Sequence, residues 1–196
     1  MVTTPATTPA GDPLPAHSER IEIRVGELTQ LFNSIDPSPF RQKDLDPSAE
    51  EFIVGWAREA RRDGPLALRV YVDRPGGPED ADILREAVHE FFRQRARVTR
   101  QRLRQLFRVG RTSLVIGLAF LAVSVGLGGA LEQVLAEQRL GGILREGLII
   151  GGWVAMWRPL ETFLYDWWPI RAEARLYDRL STMPVDIAPA HSRPPT

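Results

Sequence analysis

The sequence predicts a membrane α-helical hairpin joined to a small cytoplasmic α+β module with the order strand, helix, strand, long helix. Three observations predict it. Residues 112–131, TSLVIGLAFLAVSVGLGGAL, carry no charge. Residues 93–111, RQRARVTRQRLRQLFRVGR, carry eight arginines and no acid. Two short segments, IEIRV at 21–25 and LALRVYVD at 66–73, alternate apolar and other side chains with the period of a strand.

Whole-chain averages hide this division. The 25 basic and 25 acidic residues give a formal net charge of zero, and the mean hydropathy is −0.19. With no cysteine, disulfides, thiolate metal sites and a cysteine nucleophile are excluded. Lys43 is the only lysine, an arginine bias that reads as a GC-rich bacterial genome.

In chain order, residues 1–20 (MVTTPATTPAGDPLPAHSER) lack the basic start and apolar run of a secretory signal and read as a disordered tail. The module is expected over 21–78. Between its two strands, PSAEEFIVGWAREARR reads as a helix with Asp46 as N-cap, Pro47 in the first position and Gly64 past its end. Its expected apolar face is Phe52, Ile53, Trp56, Ala57 and Ala60, and the crossover is long enough for parallel strands. The RPGGPED turn then starts a long basic juxtamembrane helix, 79–111, with Ile83, Leu84, Ala87, Val88, Phe91 and Phe92 at helical spacing. No Gly or Pro interrupts from Glu79 to Val109, so this helix is expected to feed the membrane span as a stalk. A two-stranded sheet leaves its edges unpaired, which predicts self-association or a partner protein.

The first transmembrane helix is expected over 112–131, since twenty helical residues match a hydrocarbon core of roughly 30 Å. An external loop follows at 132–146, with Gly141 and Gly142 as its turn, and a second transmembrane helix at 147–168. That second span carries Arg158 and Glu161, three apart and on one face, and ends in the aromatic belt Tyr165, Trp167 and Trp168. The pair reads as a local device that lets Arg158 snorkel, as part of an oligomer interface or water-filled path, or as a sign that the second span is absent altogether. Pro159 predicts a kink near Ala155. Small residues four apart, Ala122, Gly126 and Ala130 in one span and Gly147, Gly151 and Ala155 in the other, mark candidate packing stripes within the hairpin or between subunits. A cytoplasmic helix is expected at 169–182 and a disordered tail at 183–196 (MPVDIAPAHSRPPT). The arginines before the first span place both termini on the cytoplasmic side of a bacterial inner membrane.

Few residues suggest chemistry. Asp36, Asp44, Asp46, Glu50 and Glu51 lack calcium-loop spacing and read as turn and cap residues. Arg100, Arg102, Arg104, Arg108 and Arg111 suit anionic lipid headgroups better than nucleic acid, at about 1 kcal/mol each near the surface. His17, His89 and His191 form no zinc motif, and P-loop, dinucleotide and Gly-x-Ser-x-Gly patterns are missing. Trp153 and Trp157 share a helical face and read as packing or interface residues. No catalytic residue, metal or cofactor is expected.

The segments LFNSIDPSPF at 31–40, DLDPSAEEFIVGWARE at 44–59 and YDWWPIRAEARLYDRL at 165–180 resemble a family of small bacterial two-helix integral membrane proteins over roughly residues 20–187. The resemblance implies the membrane class and no reaction or functional residues. The expectation is therefore a non-enzymatic inner-membrane protein whose module serves scaffolding, assembly or sensing, as a homo-oligomer or with a membrane-protein partner. The alternative is a small oligomeric channel or transport component that uses the Arg158–Glu161 pair.

Overall fold

The computed structural model describes residues 10–15, 17–36, 43–61, 64–74, 78–134 and 139–190. The chain forms two compact units: Met1–Arg97 with Ala174–Thr196, and Val98–Glu173. It is mostly helical, with one small sheet.

The first unit is built on four strands, β1 (Ala10–Gly11), β2 (Glu19–Val25), β3 (Leu66–Val72) and β4 (Val185–Pro189), in the spatial order β1-β4-β3-β2. Strands β2, β3 and β4 are parallel, and the two residues of β1 pair antiparallel to β4. Helix α1 (Pro47–Glu59) crosses between β2 and β3 as expected. Its first turn is fixed by Asp46, whose carboxylate accepts the Ser48 N–H at 2.9 Å, with Pro47 supplying a preset φ.

One face of the sheet forms the core. Leu66, Leu68, Val70 and Val72 lie in register with Glu19, Ile21, Ile23 and Val25 of β2, while Val185, Ile187 and Pro189 continue the rows beginning at Leu68. Against them pack Ile53, Val54 and Ala57 of α1 and Leu84, Val88 and Phe92 of α2 (Pro78–Val134), with Tyr177 and Leu180 of α4 (Trp167–Leu180). The Phe92 and Tyr177 rings stack at 6.2 Å. The acidic first turn of α2, Glu79 and Asp80, complements the helix dipole.

Several expectations are corrected. The sheet has four strands rather than two, because segments read as tails take part in it. β4 lies within 183–196, and β1 and the start of β2 lie within 1–20. All five residues of β4 are buried. A five-residue strand ending in proline is too short to show periodicity, and its stability comes from the neighbours it pairs with. Gly11 sits beside it with φ +144°, where a Cβ would lie 2.6 Å from the Val185 carbonyl oxygen. Asp12 then binds Arg85 at 2.8 Å. On α1, Phe52 and Trp56 are not core: they are 44% and 53% exposed, because the buried stripe turns toward Val54.

The second unit contains the rest of α2, helix α3 (Arg139–Glu161), a π-helical stretch Thr162–Asp166 and the start of α4. The long helix and the first apolar span are one element, Pro78–Val134. Gly141 and Gly142 lie inside α3 rather than in a turn, and 135–138 are outside the described residues. The described parts of the expected loop, 132–134 and 139–146, are thus helical, since glycine weakens a helix without necessarily ending it. The helix continues through Pro159 and becomes π-helical at Thr162.

Candidate functional site

Within the second unit α2 and α3 pack closely along a seam of small residues. A Cβ at Gly152 would meet Leu121 Cα at 3.4 Å and Ser124 Cβ at 3.5 Å, and one at Gly117 would lie 3.4 Å from the Ala155 carbonyl oxygen. A Cβ at Gly128 would lie 3.5 Å from Arg145 Cα, and one at Gly110 would lie 3.0 Å from Thr162 Cγ2. As numbers rise along α2 they fall along α3, so the pair is antiparallel. Gly110, Gly117 and Ser124 are spaced by sevens, as are Arg145, Gly152 and Pro159, the repeat of helices that wrap one another.

This seam is not the one the sequence suggested. Gly126, Gly147 and Gly151 have open space where a Cβ would stand, and Ala122 and Ala130 are exposed. Ala155 alone of the six borders the partner helix. A four-residue pattern of small side chains occurs on two faces of α2, and only the packed geometry tells which one is used. The outer surface is apolar, with Val115, Phe120 and Val123 of α2 and Ile150, Trp153 and Trp157 of α3 at least half exposed.

The seam also sets which residues are level. Pairing Gly128 with Arg145, Gly117 with Met156 and Gly110 with Phe163 puts Thr112 level with Glu161 and Leu131 level with Gly142. Arg158 Nη1 binds Glu161 Oε2 at 3.0 Å, and Arg158 points outward, its side chain 75% exposed.

Beyond that level the pair ends in an aromatic and basic cluster. Phe107 lies 6.1 Å from Phe163 and 6.4 Å from Trp167, and Trp167 lies 4.7 Å from Trp168. The Trp167 indole donates to the Phe163 carbonyl at 2.9 Å, and the Arg171 guanidinium covers its ring at 5.5 Å. Arg100, Arg102, Arg104, Arg108 and Arg111 are all exposed on this part of α2, where no acid stands between Glu90 and Glu132. Arg100, Arg104, Arg108 and Arg111 follow one helical face, and Arg102 lies off it.

The first unit holds a buried charge that sequence reasoning missed. On the sheet face away from the helices, Glu22, Arg69 and Asp186 form one row across β2, β3 and β4. Asp186, 2% exposed, accepts from Arg69 Nε and Nη2, both at 2.8 Å. Burial pulls the Arg69 guanidinium down, and the hydrogen bonds and charges of Asp186 and Tyr71 outweigh it, leaving it above its ordinary value. Tyr71 also donates to Glu22 at 3.4 Å. The signal was present in part: Arg69 is the single charge inside an apolar strand.

The other candidates take structural roles. Asp36 accepts the Asp44 N–H at 2.8 Å, Asp46 caps α1 and Glu50 pairs with Arg95. Glu51 is exposed on α1. His89 Nε2 is 2.7 Å from the Met183 carbonyl oxygen. Among the described residues no three His, Asp or Glu side chains gather as a metal site. One described helix, Glu79–Leu131, is long and apolar enough to cross a membrane by length and composition. The charges of α3, Arg139, Arg145 and Glu146 toward one end and Arg158 and Glu161 near the other, weaken its own apolar character. The chain matches no protein-family model, no curated protein and no solved structure.

Proposed function

We propose that this chain is a multi-pass protein of the bacterial inner membrane. In this reading α2 and α3 cross as a hairpin, both termini are cytoplasmic, and the first unit is a non-enzymatic module for scaffolding, assembly or sensing. One observation carries the proposal. The chain leaves the module along α2 and re-enters the same core through α4, because β4 lies between β1 and β3 in the sheet. Any crossing by α2 must therefore be matched by a return, and α3 is the packed, outwardly apolar helix available to make it.

The level of the residues supports a shifted second span, about Gly142 to Glu161 rather than 147–168. Glu161 then sits at the membrane boundary beside Thr112. Arg158 lies three residues deeper, about 4.5 Å at the helical rise, a depth from which an arginine reaches the surface along its own stem. This favours a snorkelling pair over a conduction path. Beyond the boundary, the exposed arginines and the Phe107, Phe163, Trp167 and Trp168 rings suit anionic headgroups and the interfacial belt.

The test uses the cysteine-free background. Single variants Gln133→Cys, Ser48→Cys and Thr182→Cys are treated in intact cells with a membrane-impermeant maleimide. Gln133→Cys should label in intact cells, and the other two only after permeabilisation. Labelling of Ser48→Cys in intact cells, or equal protection of all three, would overturn the hairpin.

A further inference from the structure

We infer that β2 is the pairing edge of a homodimer, joined antiparallel to β2 of a second copy in the register centred on Ile23. The inference rests on reading the first unit as an assembly module and does not depend on the membrane hairpin. The two edges of the sheet differ. At one end β1 covers part of β4; at the other, all seven residues of β2 pair with β3 and no described strand lies beyond. This edge has no proline and keeps an unbroken register from Glu19↔Leu66 to Val25↔Val72, so it lacks the proline and bulge that often block edge pairing.

The direction of the open groups follows from the hydrogen bonds. The Glu19 N–H donates to the Pro65 carbonyl at 2.9 Å, and the Val25 carbonyl accepts from Asp73 N–H at 3.3 Å. Backbone groups alternate in direction along a strand. Glu19, Ile21, Ile23 and Val25 therefore face β3, and the N–H and C=O of Arg20, Glu22 and Arg24 point to the open edge.

Side-chain charge then selects the register. A twofold centred on Glu22 sets Glu22 against itself and Arg20 against Arg24, like charges directly opposite. A twofold centred on Ile21 sets Glu19 against Ile23. The twofold centred on Ile23 sets Glu22 opposite Arg24 twice, and Ile21 opposite Val25 twice on the core side. It also continues the row of alternating charge, Asp186, Arg69, Glu22, into Arg24 of the second copy. Arg24 is placed for this on the exposed side, where its pair with Asp73 leaves its side chain 60% exposed.

The experiment is cross-linking of the full chain in membranes, with two differently tagged forms co-expressed. Hydrogen-bonded antiparallel partners stand about 5.5 Å apart at Cα, within disulfide reach. Glu22→Cys in one form with Arg24→Cys in the other should give a mixed disulfide dimer at least tenfold above either variant alone. Self-linking of Glu22→Cys, or preferential linking of Arg20→Cys with Glu22→Cys, would overturn the register. Wild-type mass in detergent, by multi-angle light scattering, should be that of a dimer. Glu22→Pro, which removes an N–H that faces away from β3, should return it to a monomer. A wild-type monomer, or a dimer unchanged by Glu22→Pro, would overturn the edge, and neither result bears on the maleimide test of the hairpin.

Discussion

Replacing Asp186 by Asn removes the charge that holds Arg69 while keeping the side-chain shape. Asp186 is 2% exposed, and its carboxylate receives two guanidinium donors at 2.8 Å. Breaking a fully buried pair by taking away one partner costs about 3–5 kcal/mol. The Arg69 side chain keeps 24% of its exposure, and Asn still offers one acceptor, so the cost here falls to about 2–3 kcal/mol. Hydrogen exchange of peptides covering Leu66–Val72 reads that opening free energy locally. At 1.4 kcal/mol per decade, exchange should accelerate about 30- to 150-fold. Asp73→Asn is the control, since the Arg24–Asp73 pair is 60% and 50% exposed and contributes under about 1 kcal/mol. Equal acceleration in the two variants would refute the reasoning. A double variant, Arg69→Met with Asp186→Leu, should recover much of the loss, because no buried charge is then left alone.

Two further outcomes follow from the same geometry. Gly152→Val should destabilise the helical pair by about 1–3 kcal/mol, because the added Cβ would fall 2.6 Å from Leu121 Cδ1 and 3.4 Å from its Cα. Gly151→Val, which meets open space, should change the thermal midpoint in detergent little, and a reversed order would mean the seam is misassigned. The guanidinium of Arg85, raised first by its hydrogen bond to Asp12, shares with Arg69 a folded value above the ordinary one. Their contribution to stability is complete below the unfolded guanidinium value and is lost only as pH rises through the folded one, in strongly alkaline solution. Melting midpoints of the wild type and of Arg85→Gln should therefore differ by the same amount at pH 7 and pH 9.

The local and strongly patterned parts of this protein are legible in its sequence. Asp46 and Pro47 announce the start of α1, the alternation of IEIRV and LALRVYVD announces two strands, and the charge-free run from Thr112 announces the apolar helix. Each is a property of neighbouring residues. Arg158 and Glu161 at three-residue spacing belong to the same class, and they do pair. What failed were readings that needed a distant partner. VDIAP at 185–189 looked like a tail because a buried strand of five residues is held by β3 and β1, not by its own composition. Asp186 looked unremarkable until Arg69, far away in the chain, came beside it.

By itself, the sequence determined that one helix is apolar enough to cross a membrane, that a run of arginines precedes it, and that a module with parallel-strand potential lies before both. Tertiary structure decided that the chain returns to complete that module, that Gly117 and Gly152 rather than Gly126 and Gly151 form the seam, and that Glu161 stands level with Thr112. The physical reason is the same in each case. Helical propensity, capping and hydropathy act within a few residues of chain, whereas strand pairing, close backbone approach and burial of charge are settled only when surfaces distant in sequence meet.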